Sequence, residues 1–183
     1  MRLLPVKEKI KVVDNYFPEW FVTRVSHELE FMPVRYNNTP YANFRQARFF
    51  GATLMQQDRF LDIPPWWVVE YFNECMYHDI CKEWTTHACL RVLLNGQLPG
   101  QHGCNHTDSD SDNYLSVIYH GHGVDGDTVF VDNNTGEDIQ RVSFKVGRLV
   151  IFNSLLMHRS DAPSQGYRVT LGGVYPSVPI TTL

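Results

Sequence analysis

Two kinds of apolar spacing divide the chain near Thr86. Residues 9–17, KIKVVDNYF, alternate and run into Pro18, which predicts a strand entering a turn. The next stretch, EWFVTRVSHELEFM, sets Trp20, Phe21, Val25, Leu29 and Met32 at helical spacing, with Pro33 as the stop. A second helix is predicted over IPPWWVVEYFNECMYHDICKEW, whose prolines suit a first turn and whose apolar stripe is long. Residues 35–57, polar, aromatic and glycine-containing, fit short strands and a mobile loop equally well. Beyond Thr86 the segments ACLRVLLN, YLSVIYH, DTVFVD, RVSFKV, RLVIFN and YRVTLGGVY are short, rich in β-branched and aromatic residues, and separated by glycine, asparagine and aspartate. That is the pattern of antiparallel strands.

Helices first and strands after predict a mainly β fold with helices (α+β), a curved sheet carrying the helices on its outer face. A double-sheet jelly roll closes its edges in this way and leaves a mouth for a ligand. The 183 residues suit one domain, with residues 1–86 as helical support and substrate loop and 87–178 as the jelly-roll core. Hydrophobic residues make up 43% of the chain, enough for a real core. The formal charge is −4 and no basic block interleaves with aromatics, so nucleic acid is not an expected partner. The opening MRLLPVKEKIKVV has too short an apolar run for a signal peptide, and no run is long enough to span a bilayer. The expectation is a soluble cytoplasmic protein with no membrane partner. Cys75, Cys81, Cys89 and Cys104 form no CxxC pair and are read as free thiols.

Candidate chemistry begins in NHTDSDS. His106 and Asp108 are two apart, so on an extended backbone both side chains point the same way and can reach one ion. His158, after the strand RLVIFN, can join them in an antiparallel fold. Two imidazoles and a carboxylate on one face of a metal leave its other positions open, the facial triad of non-haem Fe(II) oxygenases. Arg168, ten residues beyond His158, shares a strand face with Thr170, while Val169 and Leu171 take the other. An arginine buried among such neighbours needs an anion, and a guanidinium fork holds a carboxylate by two bonds. A dicarboxylate with one end on the metal and the other on Arg168 would supply it.

Residues 89–175 resemble the 2-oxoglutarate- and Fe(II)-dependent oxygenases, and within them the prolyl 4-hydroxylase branch. The resemblance is carried by NGQLPGQHGCNHTD, YLSVIYHGHGVDGDTVFVD and KVGRLVIFNSLLMHRSDAPSQGYRVTLGGVY. A strand ends in H-x-D, a shortened glycine turn GDT follows at 126–128, and the strand GRLVIF precedes the distal histidine and the basic residue. The compact style is similar to small bacteriophage-encoded enzymes. The resemblance implies a double-stranded β-helix, iron on His106, Asp108 and His158, and the distal carboxylate of 2-oxoglutarate on Arg168. It implies hydroxylation with O2 of a prolyl residue in a peptide or protein, release of succinate and CO2, and ascorbate as an optional reductant. Two features depart from the family pattern. A tyrosine that often contacts 2-oxoglutarate is absent, with Asn95 near its position, and the basic residue is arginine where lysine is common.

On YLSVIYH, Ser116, Ile118 and His120 share one face and Leu115, Val117 and Tyr119 the other. The oilier set should meet the helices, which turns Ile118 and His120 toward the co-substrate. Rival readings are weaker. Alternating His102, Cys104 and His106 suggest zinc but lack a partner pair at structural spacing. DSDSDN lacks the glycine and distal glutamate of a calcium loop. Trp66 and Trp67 are read as helix core, and Tyr36, Tyr41, Phe44 and Arg48 as a substrate-covering lid. Hydroxylation of a small molecule such as a free amino acid, and a non-catalytic jelly-roll module with a vestigial metal site, are the alternative functions.

Overall fold

The alternating opening segment becomes strand β1 (Ile10–Val13) in a computed structural model, which describes residues 10–31, 34–36, 49–57, 59–60, 66–79 and 89–176. The strand is shorter than the pattern predicts: after Val13 the chain bends, with Asn15 in the left-handed region at φ 57°. Helix α1 (Glu19–Glu30) follows and buries Phe21, Val25 and Leu29, four residues apart. Trp20, placed on the apolar stripe by spacing, is instead 55% exposed, because its position falls to the flank of that face. The helix closes at Phe31, ahead of Pro33. Residues 35–57 contribute β2 (Arg35–Tyr36) and β3 (Phe50–Gln56); β4 (Arg59–Phe60) and α2 (Trp66–Asp79) come next.

The later strands are β5 (Arg91–Gln97), β6 (Tyr114–His122), β7 (Thr128–Val131), β8 (Asp138–Val142), β9 (Leu149–Asn153), β10 (His158–Ser160) and β11 (Arg168–Pro176). They form two antiparallel sheets. The larger runs β1-β9-β6-β11-β5-β3-β2 with β4 beside β3, and the smaller runs β10-β7-β8. The segment expected as helical support thus also gives strands to the larger sheet. RVSFKV was expected as a strand, but β8 ends at Val142. Thr128, the first residue of β7, pairs with Val142, so the alternation beyond it has no partner strand.

Both helices lie on the outer face of the larger sheet. Phe21 and Phe72 from the helices, Phe17, and Tyr119 from β6 share one core cluster with Leu94 and Leu171. Phe17 stacks on Phe21 at 4.4 Å and meets Tyr119 edge-on at 5.4 Å. Trp67 packs against this cluster as expected of a core residue. A second cluster, Ile10, Phe130, Val142, Val150 and Phe152, fills the space between the sheets at one end. The other part of that space is a cavity lined by alternate residues of β5 and β11. Among the described residues, no helix is long and apolar enough to cross a membrane. Among the described residues no two cysteines pair with each other, and Cys81 lies outside them.

Candidate metal centre and its cavity

The loop between β5 and β6 runs beside β10 as an extra edge of the smaller sheet. His106 and His158 bridge antiparallel, with N–H···O distances of 3.0 and 2.9 Å in the two directions. Gly103 and Asp108 donate to the carbonyls of Ser160 and Ser154. The main chain therefore sets the spacing of the side chains. His106 Nε2 lies 3.7 Å from Asp108 Oδ1, and His158 Nε2 lies 3.6 Å from Asp108 Oδ2. The three donor atoms lie within 4.8 Å of one another, close enough to hold one ion.

Each ring is aimed by its other nitrogen. His106 Nδ1 lies 3.0 Å from the Cys104 carbonyl and His158 Nδ1 lies 3.0 Å from the Leu156 carbonyl. A carbonyl only accepts, so Nδ1 carries the proton and Nε2 keeps its lone pair for a metal. Burial pushes the His158 pKa down to about 4, against the pull of Asp108, so the ring is neutral near neutral pH. Burial alone would raise the Asp108 pKa. The neighbouring His158 and His106, the Ser116 hydroxyl and Arg91 outweigh it and hold the carboxyl below its ordinary value. Ser116 donates to Asp108 Oδ2 at 2.6 Å and shares a hydrogen bond with Ser154; Arg91 Nη2 donates to Asp108 Oδ1 at 3.3 Å. Two imidazoles aimed by their Nδ1 hydrogen bonds and an ionised carboxylate, each fixed by further bonds, fit a divalent transition metal.

A cavity of about 380 Å³ extends from this cluster to Arg168. Arg168 is buried, donates to Gln97 Oε1 and, at 3.4 Å, to Thr128 Oγ1, and leaves Nε without a hydrogen-bond partner. Burial pushes its pKa down to about 10, so it remains charged. Among the described residues no carboxylate forms an ion pair with it. A charge so placed is costly unless an anion joins it. Gly126 makes room for the side chain: at φ +104° it sits where a Cβ would lie 2.7 Å from Arg168 Cδ.

Asn95 and Ile118 line the cavity, as their strand positions predict. His120 shares the inner face with Ser116 and Ile118 but does not line the cavity, because Thr128 stands in front of it. Its Nδ1 accepts from the Lys145 N–H at 3.2 Å, so Nε2 carries the proton and faces Thr128 Oγ1 at 3.4 Å. Thr128 Oγ1 then accepts from both His120 and Arg168, and its own O–H is left to donate into the cavity. His122 stays outside, stacked on Tyr167 at 4.8 Å and bonded to Ser26 of α1. His102 and Cys104 do not join the His106 cluster among the described residues, so the alternating His102, Cys104 and His106 form no ligand set there. The serines after Asp108 cap their own turn, Ser109 to the Ser111 N–H and Ser111 to the Asn113 N–H. Of the expected lid, Tyr41, Phe44 and Arg48 lie outside the described residues, and Tyr36 is described only as a β2 strand position.

Arg91, Gln97, Thr128, Ser116 and Ser154 were not expected at the site. Strand parity with Asn95 points to Arg91 and Gln97 once β5 is known to span Arg91–Gln97. Ser116 has the same signal on β6.

No family model and no curated protein matches the chain. Solved structures do. A 2OG-Fe(II) oxygenase family oxidoreductase from Burkholderia pseudomallei is 13% identical, with a TM-score of 0.69, covering 94% of this chain and 87% of that one. A prolyl hydroxylase from Trichoplax adhaerens, in complex with a hypoxia inducible factor degradation-domain peptide, is 14% identical at TM-score 0.65, covering 92% and 84%. HygX from Streptomyces hygroscopicus, with nickel and 2-oxoglutarate bound, is 12% identical at TM-score 0.65, covering 93% and 83%. The chain thus has the fold of the 2-oxoglutarate- and Fe(II)-dependent oxygenases, the jelly roll expected from the sequence. Prolyl hydroxylases are among its structural neighbours.

Proposed function

We propose that the chain is one Fe(II)- and 2-oxoglutarate-dependent dioxygenase domain that hydroxylates a prolyl residue in a peptide or protein. The observation that carries this is convergence: His106, Asp108 and His158 meet at one point, and an arginine with no counter-ion among the described residues faces the same cavity. In this reading the three residues hold iron through Nε2, Nε2 and a carboxylate oxygen. Arg168 and the Thr128 hydroxyl hold the distal carboxylate of 2-oxoglutarate, with His120 orienting Thr128 from behind. Asn95 and Ile118 form the walls beside it. Bound there, the pair supplies oxidising power, O2 and 2-oxoglutarate giving succinate, CO2 and one oxygen atom for the substrate. The protein's part is placement and charge. Ser116 and Arg91 keep Asp108 ionised and oriented, and the carbonyls of Cys104 and Leu156 keep both imidazoles in the metal-binding tautomer. The prolyl substrate is supported by the sequence resemblance and by the peptide held in the Trichoplax enzyme.

Succinate release is measured with Fe(II), 2-oxoglutarate and ascorbate as reductant. The wild type is expected to turn over. His106→Ala and Asp108→Ala are expected to lose metal uptake and turnover while keeping their circular dichroism. Normal turnover in either variant would overturn the ligand assignment. Proline-containing peptides are screened by mass spectrometry for the gain of one oxygen. Turnover with no peptide modified would retire the prolyl substrate and leave the oxygenase.

A further inference from the structure

The cavity holds a second cation with capacity to spare. Arg91, Leu93, Asn95 and Gln97 alternate along β5 and all line it. In the β5–β11 ladder Gln97 pairs with Arg168 and Arg91 with Val174, so the two arginines close opposite ends of one trough, about 20 Å apart along the strands. Asp108 lies at the Arg91 end, where Arg91 Nη2 donates to its main-chain carbonyl at 2.9 Å and to Oδ1 at 3.3 Å. Arg91 Nε is buried without a hydrogen-bond partner, and among the described residues Nη1 makes no hydrogen bond or ion pair. The side chain is 31% accessible. Thr53 and Gln56 of β3 line the same end, and Gln56 pairs with Arg91 across the sheet.

Charge points the same way. The charged side chains among the described lining residues are Arg91, Arg159, Arg168 and Asp108, apart from the two metal-site histidines. Arg159 is taken up by Asp138 and Asp161. A divalent metal and doubly negative 2-oxoglutarate cancel, Asp108 offsets one arginine, and one positive charge is left over. Arg168 faces the co-substrate's distal carboxylate and Asp108 is shared between the metal and Arg91, so among the described residues the excess lies at the Arg91 end.

We propose that Arg91 receives a carboxylate of the substrate through its free Nη1 face, on the side of the metal away from Arg168. The compound oxidised is then an acid in its own right, either a free amino acid or the carboxyl-terminal residue of a chain, in preference to a residue within a chain. This rests on the oxygenase reading above; a chain terminus narrows the peptide substrate proposed there, and a free amino acid replaces it.

The test loads the protein with Mn(II) and 2-oxoglutarate and titrates it, without turnover, with acetate, N-acetylproline and proline. Acetamide and N-acetylprolinamide serve as uncharged partners. Binding is read from broadening of the ligand proton resonances by Mn(II), beyond that of a Zn(II)-loaded control. Each acid is expected to bind at least about fivefold more tightly than its amide. In Arg91→Gln that preference should shrink to within about twofold, and Arg91→Lys should keep part of it. Tighter binding of proline than of N-acetylproline identifies a free amino acid as the source of the carboxylate, and the reverse order identifies a chain terminus. Equal binding of acid and amide, no binding of any acid, or a preference surviving in Arg91→Gln overturns the proposal. Uptake of Mn(II) and 2-oxoglutarate is measured by dialysis on the same samples. Loss of uptake in the wild type sinks the oxygenase reading itself, whereas intact uptake with no preference for acids sinks the Arg91 assignment alone.

Discussion

His120 is a buried base with no acid against it among the described residues, Asp14 acting only at a distance. Burial, then the charges of Arg168 and Arg148, push its pKa down to about 3 against a weaker pull from Asp14, and its ring lies flat on Phe144 at 4.6 Å. In the unfolded chain the same ring titrates near its ordinary 6.5. Below that value the unfolded state takes up a proton that the folded state refuses. The contribution to stability is therefore complete above about pH 6.5 and is lost as pH falls toward 3. Denaturant midpoints of the metal-free protein, measured from about pH 7.5 to 4.5, should drop with acid. His120→Gln should flatten the curve by up to about 1.4 kcal/mol per pH unit. Equal slopes in the two proteins would mean that the ring is not held neutral.

At the scale of elements, packing decided what periodicity left open. The four-residue spacing of Phe21, Val25 and Leu29 survives as the buried face of α1, and Trp20 falls beside it. Phe21→Ala should cost about 3–5 kcal/mol, since the ring is fully buried against Phe17 and Tyr71. Trp20→Ala should cost well under half as much. Urea unfolding of both variants checks the contrast, and equal losses would place Trp20 in the core. Most strands from β5 to β11 are legible because they alternate or are rich in β-branched residues. Two escape the pattern. β10 has three residues, too few to carry a period, so the strand before His158 is legible and the one it begins is not. β8 was displaced because alternation persists past Val142, where pairing stops. The metal-site cluster was legible because H-x-D is local and a strand places His158. Arg91 and Gln97 were not, since their roles depend on which strand lies opposite, which no local pattern records.

For the whole molecule, the site gathers residues from the β5–β6 loop, β10 and β11 into one cavity, so ligands should brace distant segments together. Mn(II) should raise the melting temperature, and 2-oxoglutarate should raise it further. Each should contribute about 2.7 kcal/mol when present at about a hundred times its dissociation constant. In Arg168→Ala the metal's increment should remain and most of the co-substrate's should vanish. Calorimetry with and without a chelator checks this, and a full co-substrate increment in Arg168→Ala would put the anion elsewhere. The reciprocal main-chain bridge between residues 106 and 158 has a practical corollary. In the proposed oxygenase the grip on an ion is built into the backbone, while selectivity for the substrate falls to side chains on the opposite wall. Rebuilding that wall, at Thr53 or Leu93, should change which molecule is accepted without loosening the hold on the metal.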